Sequence, residues 1–340
     1  MKNSIKKILV ILIAILLLCT SITSCVSYDD NYHIYNLWVA GVKVTTRNKT
    51  DILGDGTVSY TGNKSQGVLT LKGANLLESS DVVDDAVILS KLDSLTIKLV
   101  GQNKVGMGDN VPANGISAYD LTIEGSGSLQ VGARASCVMT KNLKVKSGKI
   151  ETYIKTTDEE VGTILGIGLW AQELLQIDDG DIEIQYLASY SPFSYGIYSA
   201  KNLVVNGGKI TIDFQTSMFL AIGLISSESI KINGGNINLY AFDDAVNVNI
   251  FEMYGGIVNA TAVDIFSDGA CRLVGKAEFA GGEFTLGLLD EPKGKPTLYS
   301  LNYVVQGMDV YGGADEDNLT LKDADYDYID SFIKIKKDLE

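Results

Sequence analysis

Two acidic pairs and a set of aromatic side chains are the residues here whose types and spacing could do chemistry. Asp84-Asp85 and Asp243-Asp244 each open the tetrapeptide Asp-Asp-Ala-Val. Clustered carboxylate oxygens at about 2.3–2.6 Å suit calcium, and two carboxyls about 5 Å apart suit a retaining hydrolase. An Asp on a turn also commonly bonds its neighbouring backbone, so spacing alone leaves these readings open. Trp170, Tyr190, Phe193 and Tyr195 flank or occupy long insertions, where rings could stack on sugars and where loops on a rigid scaffold carry function. Tyr153, Tyr186, Phe214 and Tyr240 follow a recurring glycine by five or six residues. Alternation points Tyr153 and Tyr240 outward, open to a sugar, and Tyr186 and Phe214 inward as ordinary core.

The elements that must position these residues come from an internal repeat. The segments Ile116–Val131, Val138–Ile150, Ile197–Ile212 and Leu224–Leu239 share one pattern: apolar, four spacers, apolar-x-apolar, two residues, Gly, then x-apolar-x-apolar. The glycine falls at Gly127, Gly148, Gly180, Gly208, Gly235, Gly256 and Gly282, at intervals of 21, 32, 28, 27, 21 and 26 residues. Each unit is two short alternating strands around a tight corner, where glycine permits positive φ. Recurrence in phase, with Ile, Val or Leu inward, predicts coils stacked about 4.8 Å apart rather than a sandwich. The fold expected is all-β, a right-handed parallel β-helix over 76–291. A stack of this kind exposes its core and unpaired backbone at both ends unless they are covered. Residues 35–75 read as an N-terminal β cap and 292–340, which lose the repeat, as a C-terminal cap.

The first residues give an address. Lys2, Lys6 and Lys7 precede an apolar run from Ile8 to Leu18, followed by Ile22-Thr23-Ser24-Cys25. That is the layout of an export signal over 1–24, and the run is short of the roughly 20 residues that a membrane span needs. The tetrapeptide resembles the bacterial lipobox, which makes Cys25 the lipid-bearing first mature residue, with 25–34 as a tether. Two or more acyl chains suffice for stable anchoring to a bacterial membrane. Losing 1–24 removes three lysines and no acid, moving the net charge from −14 to −17. Such a charge argues against nucleic acid as a partner. Cys137 and Cys271 read as small buried side chains rather than a disulfide framework.

Beyond these residue-level readings, the repeat Lys201-Asn202-Leu203-Val204-Val205-Asn206-Gly207-Gly208 and the two Asp-Asp-Ala-Val copies resemble a family of bacterial surface β-helix lipoproteins described as carbohydrate-binding domain-containing. The opening from Leu37-Trp38-Val39 through Asp51–Val58 is similar to the entry block of many Firmicute-type surface proteins. The resemblance spans roughly 35–290. It implies polysaccharide binding at the cell surface and bound calcium, with Asp84, Asp85, Asp243 and Asp244 as candidate ligands.

Catalysis is a third reading. Pectate lyase-like sites need a positioned Arg, and the chain's arginines, Arg47, Arg134 and Arg272, lie in no such motif. Polygalacturonase-like sites combine aspartates with Gly-His-Gly and Arg-Ile-Lys, and neither tripeptide occurs. His33, the sole histidine, sits in the tether. The expectation is therefore a non-catalytic, monomeric, exported lipoprotein binding polysaccharide, calcium-assisted if the polymer is acidic. The alternative is a structural or adhesive stalk with a protein partner.

Overall fold

A computed structural model describes residues 32–79, 85–155, 165–186, 193–214, 220–263, 271–289, 297–323 and 328–337. The chain divides into a short unit, Met1–His33, and a large one, Ile34–Glu340. Cys25, Asp84 and Tyr190 lie outside the described residues, as does the side chain of Phe193. Among the described residues, no helix is long and apolar enough to cross a membrane.

The large unit is all-β, and most of its pairings are parallel, arranged as three ladders. Ladder A joins Ala86–Ser90 to Asn114–Ala118, Ser136–Thr140, Ile167–Ala171, Phe193–Ser199, Leu220–Ser226, Val246–Val248, Cys271–Leu273 and Leu298–Ser300. Ladder B begins with Gln66–Lys72 and Ser94–Val100 and ends at Tyr303–Val305. Ladder C runs from Asn75–Leu76 through Gln102–Val105 to Glu283–Leu288. Parallel pairing therefore begins before residue 76 and outlasts residue 291 in ladders A and B.

Alternation dictates what each ladder buries. In ladder B the partners Leu121, Leu143, Leu175, Leu203, Ile230 and Phe251 form one column, each at most 2 % exposed. In ladder C the column is Leu129, Ile150, Ile182, Ile210, Ile237, Val258 and Phe284, all fully buried. Fully burying one such side chain is worth about 1.5–3 kcal/mol, so each added rung extends one continuous core. The rings of Phe251, Phe279 and Phe284 meet at 5.3–5.8 Å in that core.

The corner between ladders B and C is held by the glycine column. Six of its expected members, Gly148 to Gly282, have φ between +81° and +117°. Gly127 stays in the column, but the positive φ of its unit, +125°, falls on Gly125. A Cβ at Gly208 would sit 2.5 Å from the Gly180 carbonyl oxygen, so close approach between rungs also demands glycine there.

Both ends of the ladders change to antiparallel pairing. Ile34–Val39 lies antiparallel to Ala86–Ser90 and to Val42–Thr45, and Val58–Gly62 to Gln66–Lys72. At the other end Phe332–Lys336 pairs antiparallel with Glu283–Gly287 and with Asp309–Gly313. Cys137 and Cys271 are free, fully buried thiols. Burial pushes Cys137 up to about 12 and Cys271 well above the usual thiol value.

Candidate functional site

The outward face of ladder A differs from the other two. Its partners, rung by rung, are Trp38, Leu89, Ser117, Met139, Trp170, Tyr198, Ile225, Asn247, Arg272 and Tyr299. Trp170 and Tyr198 are half-buried and lie face to face, with ring centroids 6.4 Å apart and planes 8° apart. Tyr195 meets Tyr198 edge-on at 5.7 Å. Burial, reinforced by Tyr198, raises the Tyr195 hydroxyl above its ordinary value, so it stays protonated as a donor at neutral pH.

Tyr195 and Tyr198 are three residues apart, a spacing that strict alternation would send to opposite faces. Gly196 lies between them, in a second small-residue column with Gly115, Cys137, Gly168, Gly223 and Ala245. A Cβ at Gly196 would lie 2.6 Å from both the Gly223 oxygen and a methyl of Ile212. The local irregularity these glycines permit brings Tyr195 onto the outer face beside Met139–Trp170–Tyr198–Ile225, while its column neighbours Ile167 and Ile222 are buried. One residue further on, hydroxyls pin the corner: Thr140 donates to the Trp170 carbonyl at 3.1 Å, Ser199 to that of Asn202 at 2.8 Å and Ser226 to that of Lys201 at 2.6 Å.

Beside this column lies a groove of about 290 Å³, bounded by Leu89, Lys91, Ser117, Tyr119, Met139, Lys141 and Gln172. Leu89 itself is buried under Trp38, whose ring carries the Lys43 ammonium at 4.6 Å. Aromatic faces, hydroxyls, an amide and ammonium groups on one strip suit a sugar, whose ring faces stack and whose hydroxyls bond.

The acidic pairs are arranged otherwise. Asp85, at φ +43°, accepts the Ala113 N–H at 3.1 Å and faces Arg134 at 3.4 Å. Burial acts to raise its pKa, but bonds from Ser79 and Ala113 and the Arg134 charge outweigh it and hold the carboxyl below its usual value. Asp243 and Asp244 are 2 % and 1 % exposed, and Asp244 accepts from Asn247 Nδ2 at 2.6 Å. The two tetrapeptides are not equivalent, because the pairing columns place Ala86 level with Asp244, one position out of step. Among the described residues, no three His, Cys, Asp or Glu side chains converge to hold a metal ion.

Of the other aromatics, Tyr186 (4 % exposed) and Phe214 (0 %) pack edge to face at 6.4 Å in the core. Tyr153 and Tyr240 are half-buried on the outer face of ladder C, in one column but separated by Gln185 and Asp213. They form no platform. The structure brings Trp170 and Tyr195 together and adds Tyr198, which the sequence reading left out. A signal for it existed: the second residue of each repeat unit is Ser117, Met139, Tyr198 or Ile225, and reading down that position exposes the column. Comparison with protein-family models, with curated proteins and with solved structures finds no match for this chain.

Proposed function

We propose that this chain is an exported lipoprotein, anchored through Cys25, that holds polysaccharide on the outer face of ladder A without cleaving it. Its three ladders are the faces of a right-handed parallel β-helix, and the antiparallel segments at 34–62 and 309–336 are its caps. The observation that carries this reading is the parallel Trp170–Tyr198 pair, edged by Tyr195 and set on a regular ladder rather than in a cleft. An open ring platform binds an extended polymer; it does not surround a scissile bond.

The test is sedimentation of the detergent-solubilised full chain with insoluble cellulose and with cross-linked polygalacturonate, each with calcium or a chelator. Binding to at least one polymer, weakened by Trp170→Ala and without release of reducing or unsaturated sugar, supports the proposal. Binding to neither favours an adhesive stalk with a protein partner, and sugar release would make the chain an enzyme. A chelator-sensitive signal on polygalacturonate would bring calcium back into the account. For the anchor, Cys25→Ser should abolish labelling by a palmitate analogue; persistent labelling would refute the assignment.

A further inference from the structure

We infer that the outward face of ladder A is a track for an acidic polysaccharide, its carboxylates met by cations on both sides of the aromatic platform. This inference rests on the polysaccharide reading above and specifies the polymer. The chain carries 42 acidic residues against 28 basic ones, so a strip with more cations than acids runs against the overall charge. The column from Leu89 to Tyr299 holds no acid and ends towards Arg272. The groove beside its first rungs is bounded by Lys91 and Lys141 and likewise by no acid. Two acids lie next to it: Glu173, shared by Lys141 at 3.6 Å and Lys201 at 3.5 Å, and Asp244, which accepts from Asn247 at 2.6 Å. Among the described residues the cations Lys91, Lys141, Lys201 and Arg272 outnumber them.

Two of these cations have no counterion among the described residues. The Lys91 ammonium makes no hydrogen bond or ion pair there, and neither does the Arg272 guanidinium, whose Nε is buried without an acceptor. On the other ladders some outer-face lysines are engaged, Lys144 with Asp178, Lys149 with Glu151 and Lys276 with Glu278. Lys98, Lys104 and Lys209 make no ion pair among the described residues either, so what sets Lys91 and Arg272 apart is their place beside the aromatic column. A half-buried planar fork left without a partner is suited to a carboxylate that arrives from outside.

Leu89 and Arg272 are seven rungs apart along the column, about 34 Å at the usual strand spacing. The polymer lies across the strands, stacks on Trp170 and Tyr198 midway, and needs no metal bridge. Affinity then rises with oligomer length until that span is filled.

The experiment measures binding of the full chain to three soluble probes: polygalacturonate, the same polymer with its carboxyls reduced to alcohols, and polyglutamate. Arms in chelator exclude metal bridging. The expected result is about tenfold tighter binding to polygalacturonate than to the reduced polymer. Lys91→Gln and Arg272→Gln should each erase most of that preference, weakening binding of polygalacturonate several-fold more than binding of the reduced polymer. If Arg272→Gln fails to fold, Lys91→Gln with Lys141→Gln carries the test on exposed positions. Equal affinity for the two sugars, unmoved by these variants, overturns the acidic track and leaves the binding proposal standing. Binding to neither sugar overturns both. Polyglutamate bound as tightly as polygalacturonate would show a general polyanion surface and overturn the sugar assignment.

Discussion

Ladders A and C share a strand spacing and a handful of inward residue types, yet their outer faces have almost nothing in common. On ladder C the outward column is Asn75, Lys104, Gln130, Glu151, Glu183, Thr211, Asn238, Asn259 and Thr285, of which Lys104 makes no ion pair among the described residues. Its polar groups largely satisfy one another: Gln130 donates to Glu151 at 2.8 Å, Lys149 bridges Glu151 and Glu183 at 2.5 and 3.7 Å, and Asn259 donates to Asn238 at 3.0 Å. On ladder A the outward groups are mostly rings and apolar side chains, with Ser117, Asn247 and one cation, Arg272, that has no counterion among the described residues. A surface that has met its own valences offers little to a ligand, whereas one that has not is available for binding. The inward columns make the scaffold, and the outward columns decide what it does.

The largest effect should come from breaking what the ladders share. Val145 is fully buried between its column partners Ile123 and Ile177. Val145→Asp would bury an unpaired carboxylate at about 3–5 kcal/mol, while Lys144→Ala, one residue away and outward, should cost under about 1 kcal/mol. Equal losses in urea unfolding would argue against this register. Next comes what sets ladder A apart. Gly196→Ala forces a Cβ to within 2.6 Å of the Gly223 oxygen and should cost about 1–3 kcal/mol. It should also disturb Tyr195 and Tyr198, visible as a changed near-ultraviolet circular dichroism; an unchanged melt and spectrum would remove the glycine column from the account.

A smaller effect is confined to binding. Trp170→Ala removes one ring of the platform and should weaken polysaccharide binding about fivefold, near 1 kcal/mol. Tyr153→Ala on ladder C should change binding little, and equal losses from the two would dissolve the contrast between faces. The smallest effect is electrostatic. Bonds from Gln176 at 2.6 Å, Lys144 at 2.9 Å and Asn206 at 2.8 Å hold Asp178 at about 2, below the usual 3.8. Because the folded value is the depressed one, this stabilisation is complete above pH 3.8 and is lost as pH falls towards about 2. Asp178→Asn should flatten the acid limb of a melting-temperature profile in that window. An unaltered limb would mean that the exposed site is screened.

Inward positions were legible because alternation and core demand act on every rung alike. Tyr186 and Phe214 could be separated from Tyr153 and Tyr240 by counting from the glycine. The aromatic platform was only half legible: Trp170 and Tyr195 stood out by residue type, but Tyr198 is defined by its neighbours in adjacent rungs. The pairing of Tyr195 with Tyr198 breaks alternation at a glycine, which no period of two anticipates. The two Asp-Asp-Ala-Val copies look like one motif in sequence, but register across six rungs sets them one position apart. Arg272 gave no signal, since an arginine without a counterion can be recognised only when its surroundings are known.

In-register pairing also bears on how such a chain can change over generations. Leu203 stands level with Ile230, and Ile210 with Ile237, so excision of the 27 residues from Leu203 to Ser229 would bring matching side chains into each vacated place. Gain or loss of a whole unit is then nearly silent for the core, whereas gain or loss of a single residue is not. Lineages carrying this architecture could lengthen or shorten it in steps of one strand spacing, about 4.8 Å. Such steps would shift Arg272 relative to Trp170 like marks on a ruler, matching the strip to polymers of different charge spacing without inventing a new fold.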